Sequence, residues 1–220
     1  SGIPSDPSVC LREDFRQWVL KDELFKALDE TNQLDDGTPW LTDKQKEEIY
    51  DDLTRQSGNL IEANQAIQEL LYKYTVDENE VTGEKSPDIN IIDFKNPEKN
   101  RFVAINQFRI DTPGRVKSMI IPDIVLFVNG LPLVVIEAKD GDAFTANPMN
   151  EARTQLWRYS NQREETKVAG LKEGEEGLFH FNQFVIATTG EEAEFGSITS
   201  LDEKYFYAWP RYKYGLRLLG

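Results

Sequence analysis

The chain has 220 residues, with one cysteine, one histidine and no apolar run long enough to cross a membrane. The single cysteine, Cys10, excludes an internal disulfide framework and fits a reducing compartment. The single histidine, His180, precedes an apolar run and is interpreted as a structural residue. The sequence shows no signal-peptide pattern, so we expect a cytoplasmic protein.

The chain also lacks a nucleotide-binding loop, internal repeats and low-complexity segments. The stretch Gly83-Glu84-Lys85-Ser86 superficially resembles a phosphate-binding loop but does not have the spacing of one, which excludes an ATP site of that type. The length suits one domain with a helical extension. We place an N-terminal arm and helical extension at 1–58, a core at 59–210 and the start of a linker at 211–220.

Net charge argues against tight nucleic-acid binding by this chain alone. The chain carries a formal charge of −14 at pH 7, and phosphate neutralisation by basic residues dominates nucleic-acid affinity. Residues 1–100 hold 11 basic and 23 acidic residues, whereas residues 101–220 hold 14 and 16. The second half is therefore nearly neutral, and a substrate that is a polyanion would have to be held by another component.

Two apolar runs in the second half predict a hairpin in the middle of a sheet. Residues 124–128 and 131–136 are rich in β-branched and aromatic side chains, and Asn129-Gly130 between them is the strongest turn signal in the chain. Continuous apolar runs suit strands that are covered on both faces.

Three charges flank these runs: Asp123, Glu137 and Lys139. Charges at the ends of buried strands are costly unless they are paired or bound to a metal. Asp123 faces Glu137 only if paired positions sum to 260, which requires a three-residue loop or an equivalent bulge. We predict that register, which yields a carboxylate site for a hard cation such as Mg²⁺. The alternative is a structural ion-pair cluster.

The remaining pattern predicts an α/β protein. Helices are expected over 11–30, from Thr42 to Gly58 and over 60–72, with a fourth from the Asn147-Pro148 cap to about Gln162. Strands are expected over 88–94, 101–111 and 183–189, with a last edge strand over 204–209. The order of helices and strands suits a three-layer core with a mixed central sheet flanked by helices.

The pattern of Pro122-Asp123, thirteen residues and then Glu137-Ala138-Lys139 resembles the PD-(D/E)xK nuclease superfamily. Gln155 and Tyr159 form a Q-x-x-x-Y pair on the following helix. Such a pair is typical of the nuclease domains of type I restriction enzyme R subunits and of RecB-like nucleases. The resemblance implies a restriction-endonuclease-like fold, and it raises the site from a charge cluster to a candidate active site.

Longer strings resemble the amino-terminal region of the R subunits. They are NLIEAN at 59–64, IIDFKNPEKNRFVAINQF at 91–108, PDIVLFVNGLPLVVIEAK at 122–139 and the segments at 178–200 and 205–210. The resemblance implies a Mg²⁺-dependent type I site-specific deoxyribonuclease domain. It also implies double-stranded DNA, methylation and specificity subunits as partners, and helicase-like motor lobes that use ATP outside these 220 residues.

The resemblance also implies residue roles. Asp123, Glu137 and the backbone carbonyl of Ala138 would hold the metal, Lys139 would orient water or stabilise developing charge, and Gln155 and Tyr159 would assist from the helix. Glu62 is carried as a catalytic candidate, with a solvated helix charge as the alternative. Three basic residues could contact phosphate, although a solvated loop is the alternative reading: Arg109, Arg115 and Lys117.

Two other functions stay open from the sequence. One is an assembly and coupling module without a competent site, which the acidic first half permits and the intact Asp123, Glu137 and Lys139 disfavour. The other is a RecB-like exonuclease domain, which shares the signature but not the longer strings.

Overall fold

A computed structural model describes residues 3–140 and 147–210. The predicted linker at 211–220 and the first two residues of the arm lie outside the described residues. Within them are five α-helices: α1 (Lys21–Thr31), α2 (Asp43–Thr54), α3 (Leu60–Tyr72), α4 (Pro148–Tyr159) and α5 (Glu164–Val168). Among the described residues, none of these helices has the length and apolar composition needed to span a lipid bilayer.

Ten short strands follow α3 in the described ranges: β1 (Tyr74–Thr75), β2 (Asp88–Ile89), β3 (Phe102–Asn106), β4 (Ile110–Asp111), β5 (Met119–Ile120), β6 (Ile124–Val128), β7 (Leu131–Ala138), β8 (Phe184–Thr188), β9 (Ala193–Gly196) and β10 (Tyr207–Ala208). Six of them form the central sheet in the order β10-β9-β8-β7-β6-β3. The β7–β8 pair is parallel and the others are antiparallel, so the sheet is mixed. This confirms the predicted α/β class, and the architecture is consistent with a restriction-endonuclease-like core.

The central hairpin reaches its register through a tight turn and a bulge. Asn129 and Gly130 have φ values of 52° and 77°, as a two-residue turn of this kind requires. Phe127 pairs with Pro132, but Leu126 pairs with Val134. Leu133 is therefore the additional residue of a β-bulge, and beyond it the paired positions sum to 260. The bulge prediction is confirmed, and the alternative of a three-residue loop is wrong.

The predicted helix starts are confirmed where a local cap specifies them. Thr42 and Gln45 form a capping box at the start of α2. The Asn147 side chain accepts a hydrogen bond from the Asn150 amide, and Pro148 occupies the first turn of α4. These starts depend on neighbours within four residues, so the sequence suffices to predict them.

The predicted helix over 11–30 is wrong in its first half, because α1 begins at Lys21. Residues 11–20 do not continue the helix because their backbone bonds to distant segments. The Asp111 amide donates to the Phe15 carbonyl, and the Leu20 amide donates to the Gly130 carbonyl. The arm is also less loose than expected. Pro7–Cys10 forms a short 3₁₀ helix, and Cys10 is buried.

Two of the expected strands are shorter than the apolar pattern suggests. The segment over 88–94 keeps strand structure only at Asp88–Ile89, because the last residue of α1 and the residue that follows it bind the Asn90 backbone instead. Asn32 accepts from the Asn90 amide at 2.8 Å, and Thr31 donates to the Asn90 carbonyl at 2.7 Å. The segment over 101–111 is interrupted at Gln107, whose φ of 51° ends β3.

Two apolar clusters flank the hairpin. One lies under α4 and includes Phe108, Phe127, Val135, Leu156 and Tyr159. The other contains buried apolar residues of α1, α2 and α3 and reaches the hairpin at Leu131; its helical members are Leu24, Leu28, Ile49, Leu53, Ile67 and Leu71. The turn end of the hairpin is therefore anchored on the helices, and its open end carries the candidate site.

Candidate active site

The open end of the hairpin brings two carboxylates together. Ile124 pairs with Ile136, and the same register continued by one position sets Asp123 opposite Glu137. The Ala138 amide donates to Asp123 Oδ2 at 2.9 Å, which closes the hairpin beyond the last paired residues of β6. The structure thus brings Asp123 and Glu137 together, as the sum-to-260 register predicts.

Glu137 lies on the face of β7 that α4 covers and is 1% exposed. Lys139 Nζ donates to its Oε1 at 2.6 Å. Its Oε2 has no hydrogen-bond partner among the described residues. Burial raises the pKa of Glu137 to about 7, and the charge of Asp123 adds to the rise while Lys139 opposes it. Glu137 is thus a buried carboxylate that is only half satisfied.

Lys139 connects the strand to α4. Its Nζ also donates to Gln155 Oε1 at 3.0 Å. Gln155 Nε2 bonds the Tyr159 hydroxyl at 2.5 Å, and that hydroxyl donates to the Ile121 carbonyl at 3.0 Å. The four side chains predicted from E-x-K and Q-x-x-x-Y therefore form one continuous hydrogen-bonded chain.

The helix α4 is positioned by its apolar face. Ala152, Leu156 and Tyr159 are buried against the sheet. Gln155 and Tyr159 are four residues apart, so they lie on one side of the helix, towards Lys139. Burial raises the pKa of Tyr159 above its ordinary value, and the nearby Glu137 carboxylate adds to the rise. The hydroxyl is therefore held in its neutral, donating form.

Gln107 belongs to the site and was missed by sequence reasoning. Its Nε2 donates to Asp123 Oδ1 at 2.9 Å, and its backbone amide donates to the Asp123 carbonyl at 2.8 Å. Asn106 pairs with Ile124, which sets Gln107 beside Asp123. Two consecutive polar residues at the end of an otherwise apolar strand were the available signal.

Glu62 is placed elsewhere. It is exposed, and its Oε2 accepts from the Asn59 amide at 3.0 Å in the capping box of α3. Within the described ranges, no group of three or more His, Cys, Asp or Glu side chains is arranged to hold a metal. Glu62 therefore does not join Asp123 and Glu137, and its contacts are those of a helix cap.

The three predicted phosphate contacts have different surroundings. The Arg109 guanidinium is paired with Asp111 at 2.7 Å and donates to the Pro4 carbonyl at 3.1 Å. Arg115 is half-buried and Lys117 is exposed, both on the loop between β4 and β5. The ion pair of Arg109 competes with the predicted contact to phosphate. Lys117 is the most accessible of the three residues.

The residues present fit a hard divalent cation. Among the described residues, Glu137 Oε2 is buried without a partner and each Asp123 oxygen accepts a single bond. A carboxylate oxygen has two acceptor positions, so one remains on each Asp123 oxygen. The Ala138 amide faces Asp123, and the carbonyl of a strand residue points to the same side as its amide. Mg²⁺ is commonly held by only one or two carboxylates, with water and substrate oxygens completing its coordination.

The chain matches the family model described as the type I restriction enzyme R protein N terminus over residues 3–204. It is 32% identical over 209 residues to the type I restriction enzyme HindI endonuclease subunit of Haemophilus influenzae. It is 27% identical over 213 residues to the MjaIXP endonuclease subunit ascribed to a type I restriction enzyme of Methanocaldococcus jannaschii. Each match covers 94% of this chain and 18% of the relative. The chain therefore spans about a fifth of the length of these relatives.

Proposed function

Because the chain belongs to the type I restriction enzyme R protein N-terminal family, we propose that it is the DNA-cleaving domain of such an endonuclease subunit. The proposed reaction is Mg²⁺-dependent hydrolysis of DNA phosphodiester bonds. One observation carries this proposal. The side chains of the two sequence signatures, which lie on different elements, meet in a single bonded chain from Glu137 through Lys139 and Gln155 to Tyr159.

Asp123 and Glu137 are the proposed metal-holding side chains, with the Ala138 carbonyl as a third oxygen. Bound Mg²⁺ would lower the pKa of a coordinated water and offset charge on the scissile phosphate. Burial makes Glu137 an effective ligand, because a carboxylate that is costly to leave charged gains more from a cation.

Lys139 is the proposed group that orients the attacking water or stabilises charge on the phosphate. An ammonium has three donors, and Glu137 and Gln155 take two of them. Within the described part of the chain nothing takes the third, which leaves it for the substrate side. Gln155 and Tyr159 keep the ammonium in place, because the Tyr159 hydroxyl is itself anchored on the Ile121 carbonyl. Donors that are fixed before the reaction stabilise a developing negative charge most effectively.

We infer that the domain acts within a larger cytoplasmic enzyme. Specificity and methylation subunits would select the DNA, and ATP-using motor lobes of the same polypeptide would deliver it. The net charge of −14 supports such a division of labour, because this chain has few basic side chains to spare for phosphate contacts.

The test uses the assembled enzyme with Asp123→Asn or Glu137→Gln, both of which remove a charge and preserve shape. We expect loss of double-strand cleavage with ATP hydrolysis retained. The matched control is Glu23→Gln, because Glu23 is also buried but pairs with Lys26 and Arg101 away from the site. Cleavage by both site variants at the wild-type rate would overturn the proposal and favour a coupling module.

A further inference from the structure

Gln107 is the one side chain beyond the predicted signatures that bonds a carboxylate of the site among the described residues. Its Nε2 lies 2.9 Å from Asp123 Oδ1, while the Ala138 amide lies 2.9 Å from Oδ2. Gln107 follows β3 and Ala138 ends β7, and both strands neighbour β6. The Asp123 carboxylate is therefore held from both sides by donors on different strands.

The backbone at Gln107 is shaped for this contact. Its φ of 51° lies in the left-handed region, which is uncommon for a residue other than glycine, asparagine or aspartate. Its amide and that of Phe108 donate to the carbonyls of Asp123 and Pro122, at 2.8 and 2.9 Å. Two consecutive amides thus clamp the backbone that carries Asp123. The turn at Gln107 ends β3 and directs the side chain onto the carboxylate.

The two donors determine the orientation of the carboxylate plane. A carboxylate held at one oxygen can rotate about its terminal torsion, which is broad. A second donor on the other oxygen removes that freedom and leaves one acceptor position on each oxygen. Groups that orient metal ligands through hydrogen bonds commonly govern metal affinity.

We propose that Gln107 is a positioning residue that sets the Asp123 carboxylate for cation binding. This inference rests on the proposed function, because it assigns Asp123 the role of metal ligand. Gln107 acts through Asp123, and it is not assigned a contact with the reacting atoms.

The test is Gln107→Met, which preserves length and removes the donor. The matched control is Gln162→Met, because Gln162 makes a similar bond of 2.8 Å to the Ile198 carbonyl. A second variant, Gln107→Asn, suits the left-handed backbone and shortens the amide by one methylene, so the fold is kept and the contact is lost. Mn²⁺ binding to each 220-residue chain is followed by loss of the free-ion electron paramagnetic resonance signal. Cleavage by each assembled enzyme is measured across Mg²⁺ concentrations.

We expect both Gln107 variants to need about 10- to 100-fold more metal for half-saturation and half-maximal cleavage. The cleavage rate at saturating metal should stay near that of wild type, and Gln162→Met should leave the midpoint unchanged. This inference alone is overturned if Asp123→Asn weakens Mn²⁺ binding but the folded Gln107 variants keep the wild-type metal concentrations for half-saturation and half-maximal cleavage. If the Asp123→Asn chain binds Mn²⁺ as tightly as the wild-type chain, Asp123 is not a metal ligand, and this inference fails with that assignment.

Discussion

Lys139 hydrogen-bonds only one oxygen of Glu137. The ammonium lies 2.6 Å from Oε1, and Oε2 is buried without a partner among the described residues. A buried carboxylate in this state costs stability once it is ionised. The fold therefore carries an unfavourable charge at the position where a cation is proposed to bind. The cost makes the site testable without measuring cleavage.

We expect Glu137→Gln to stabilise the metal-free chain at pH 8. The folded pKa of about 7 is raised above the ordinary value of 4.5, so the group's favourable contribution is complete below about pH 4.5. This contribution is lost as the pH rises through 7, which lowers the free energy of unfolding by about 3 kcal/mol. Denaturant unfolding in a chelator should therefore show a gain for Glu137→Gln that grows from pH 4.5 to pH 8.

Glu23→Gln is the matched control and should behave in the opposite way. The bond from Lys26 lowers the pKa of Glu23, with Arg101 adding to the effect against the cost of burial. A lowered pKa adds stability above the unfolded value and loses it as the pH falls. Glu23→Gln should therefore be destabilised at pH 8. Equal effects of the two substitutions at pH 8 would contradict the half-satisfied state of Glu137.

Lys139→Ala should abolish DNA cleavage by the assembled enzyme and leave ATP-driven translocation intact. The reason is that Lys139 bonds Glu137 and Gln155, and no phosphate-binding loop exists in these 220 residues. Translocation is measured by displacement of a third DNA strand, with Lys26→Ala as the control lysine. Loss of ATP hydrolysis in a folded Lys139→Ala enzyme would count against the assignment.

Tyr159→Phe should lower cleavage without eliminating it, by up to about 100-fold. It removes the hydroxyl that joins Gln155 to the Ile121 carbonyl and leaves Lys139 less well held. The lost buried bonds should also cost about 1–3 kcal/mol of unfolding free energy. Tyr74→Phe is the control, because the Tyr74 hydroxyl donates to Asp52 of α2, outside the candidate site. If both variants lose stability equally and cleave at the wild-type rate, Tyr159 is only a structural residue.

Gly130→Ala should destabilise the chain more than Gly114→Ala. Both glycines have left-handed φ values, 77° and 79°, which cost an alanine roughly 1–2 kcal/mol. A Cβ on Gly130 would lie 2.8 Å from the Leu24 amide nitrogen and would also meet the Leu20 carbonyl, whereas one on Gly114 would meet nothing within 4 Å. Thermal unfolding of both variants checks the difference. Similar losses would show that φ alone constrains the turn.

The 220-residue chain should bind duplex DNA weakly and cleave it little, even with Mg²⁺. Beyond the charge of −14, two arginines of the neutral half are already engaged in ion pairs: Arg109 with Asp111, and Arg153 with Glu194 and Glu203. The measurement is a titration of labelled duplex at low and physiological salt, followed by a nuclease assay. Tight binding at physiological salt would show that the acidic half does not govern affinity.

Local spacing in the sequence was sufficient to predict several parts of the site. The Asn129-Gly130 turn, the period of two that joins Glu137 to Lys139, and the four-residue step from Gln155 to Tyr159 each follow from backbone geometry. Requiring the two carboxylates to meet was enough to predict either a three-residue loop or a bulge, but not to choose between them or to place the bulge at Leu133. The caps of α2 and α4 belong to the same class, because their partners lie within four residues.

Contacts between distant segments follow from the packing of the whole chain and could not be predicted from local spacing. Gln107 turns onto Asp123 because β3 pairs with β6, whereas Glu62 caps α3 through the Asn59 amide. The segment before α1 is not helical because the backbones of Asp111 and Gly130 hydrogen-bond to its backbone. These outcomes depend on which strands become neighbours, and that choice is made by burial of the whole apolar pattern.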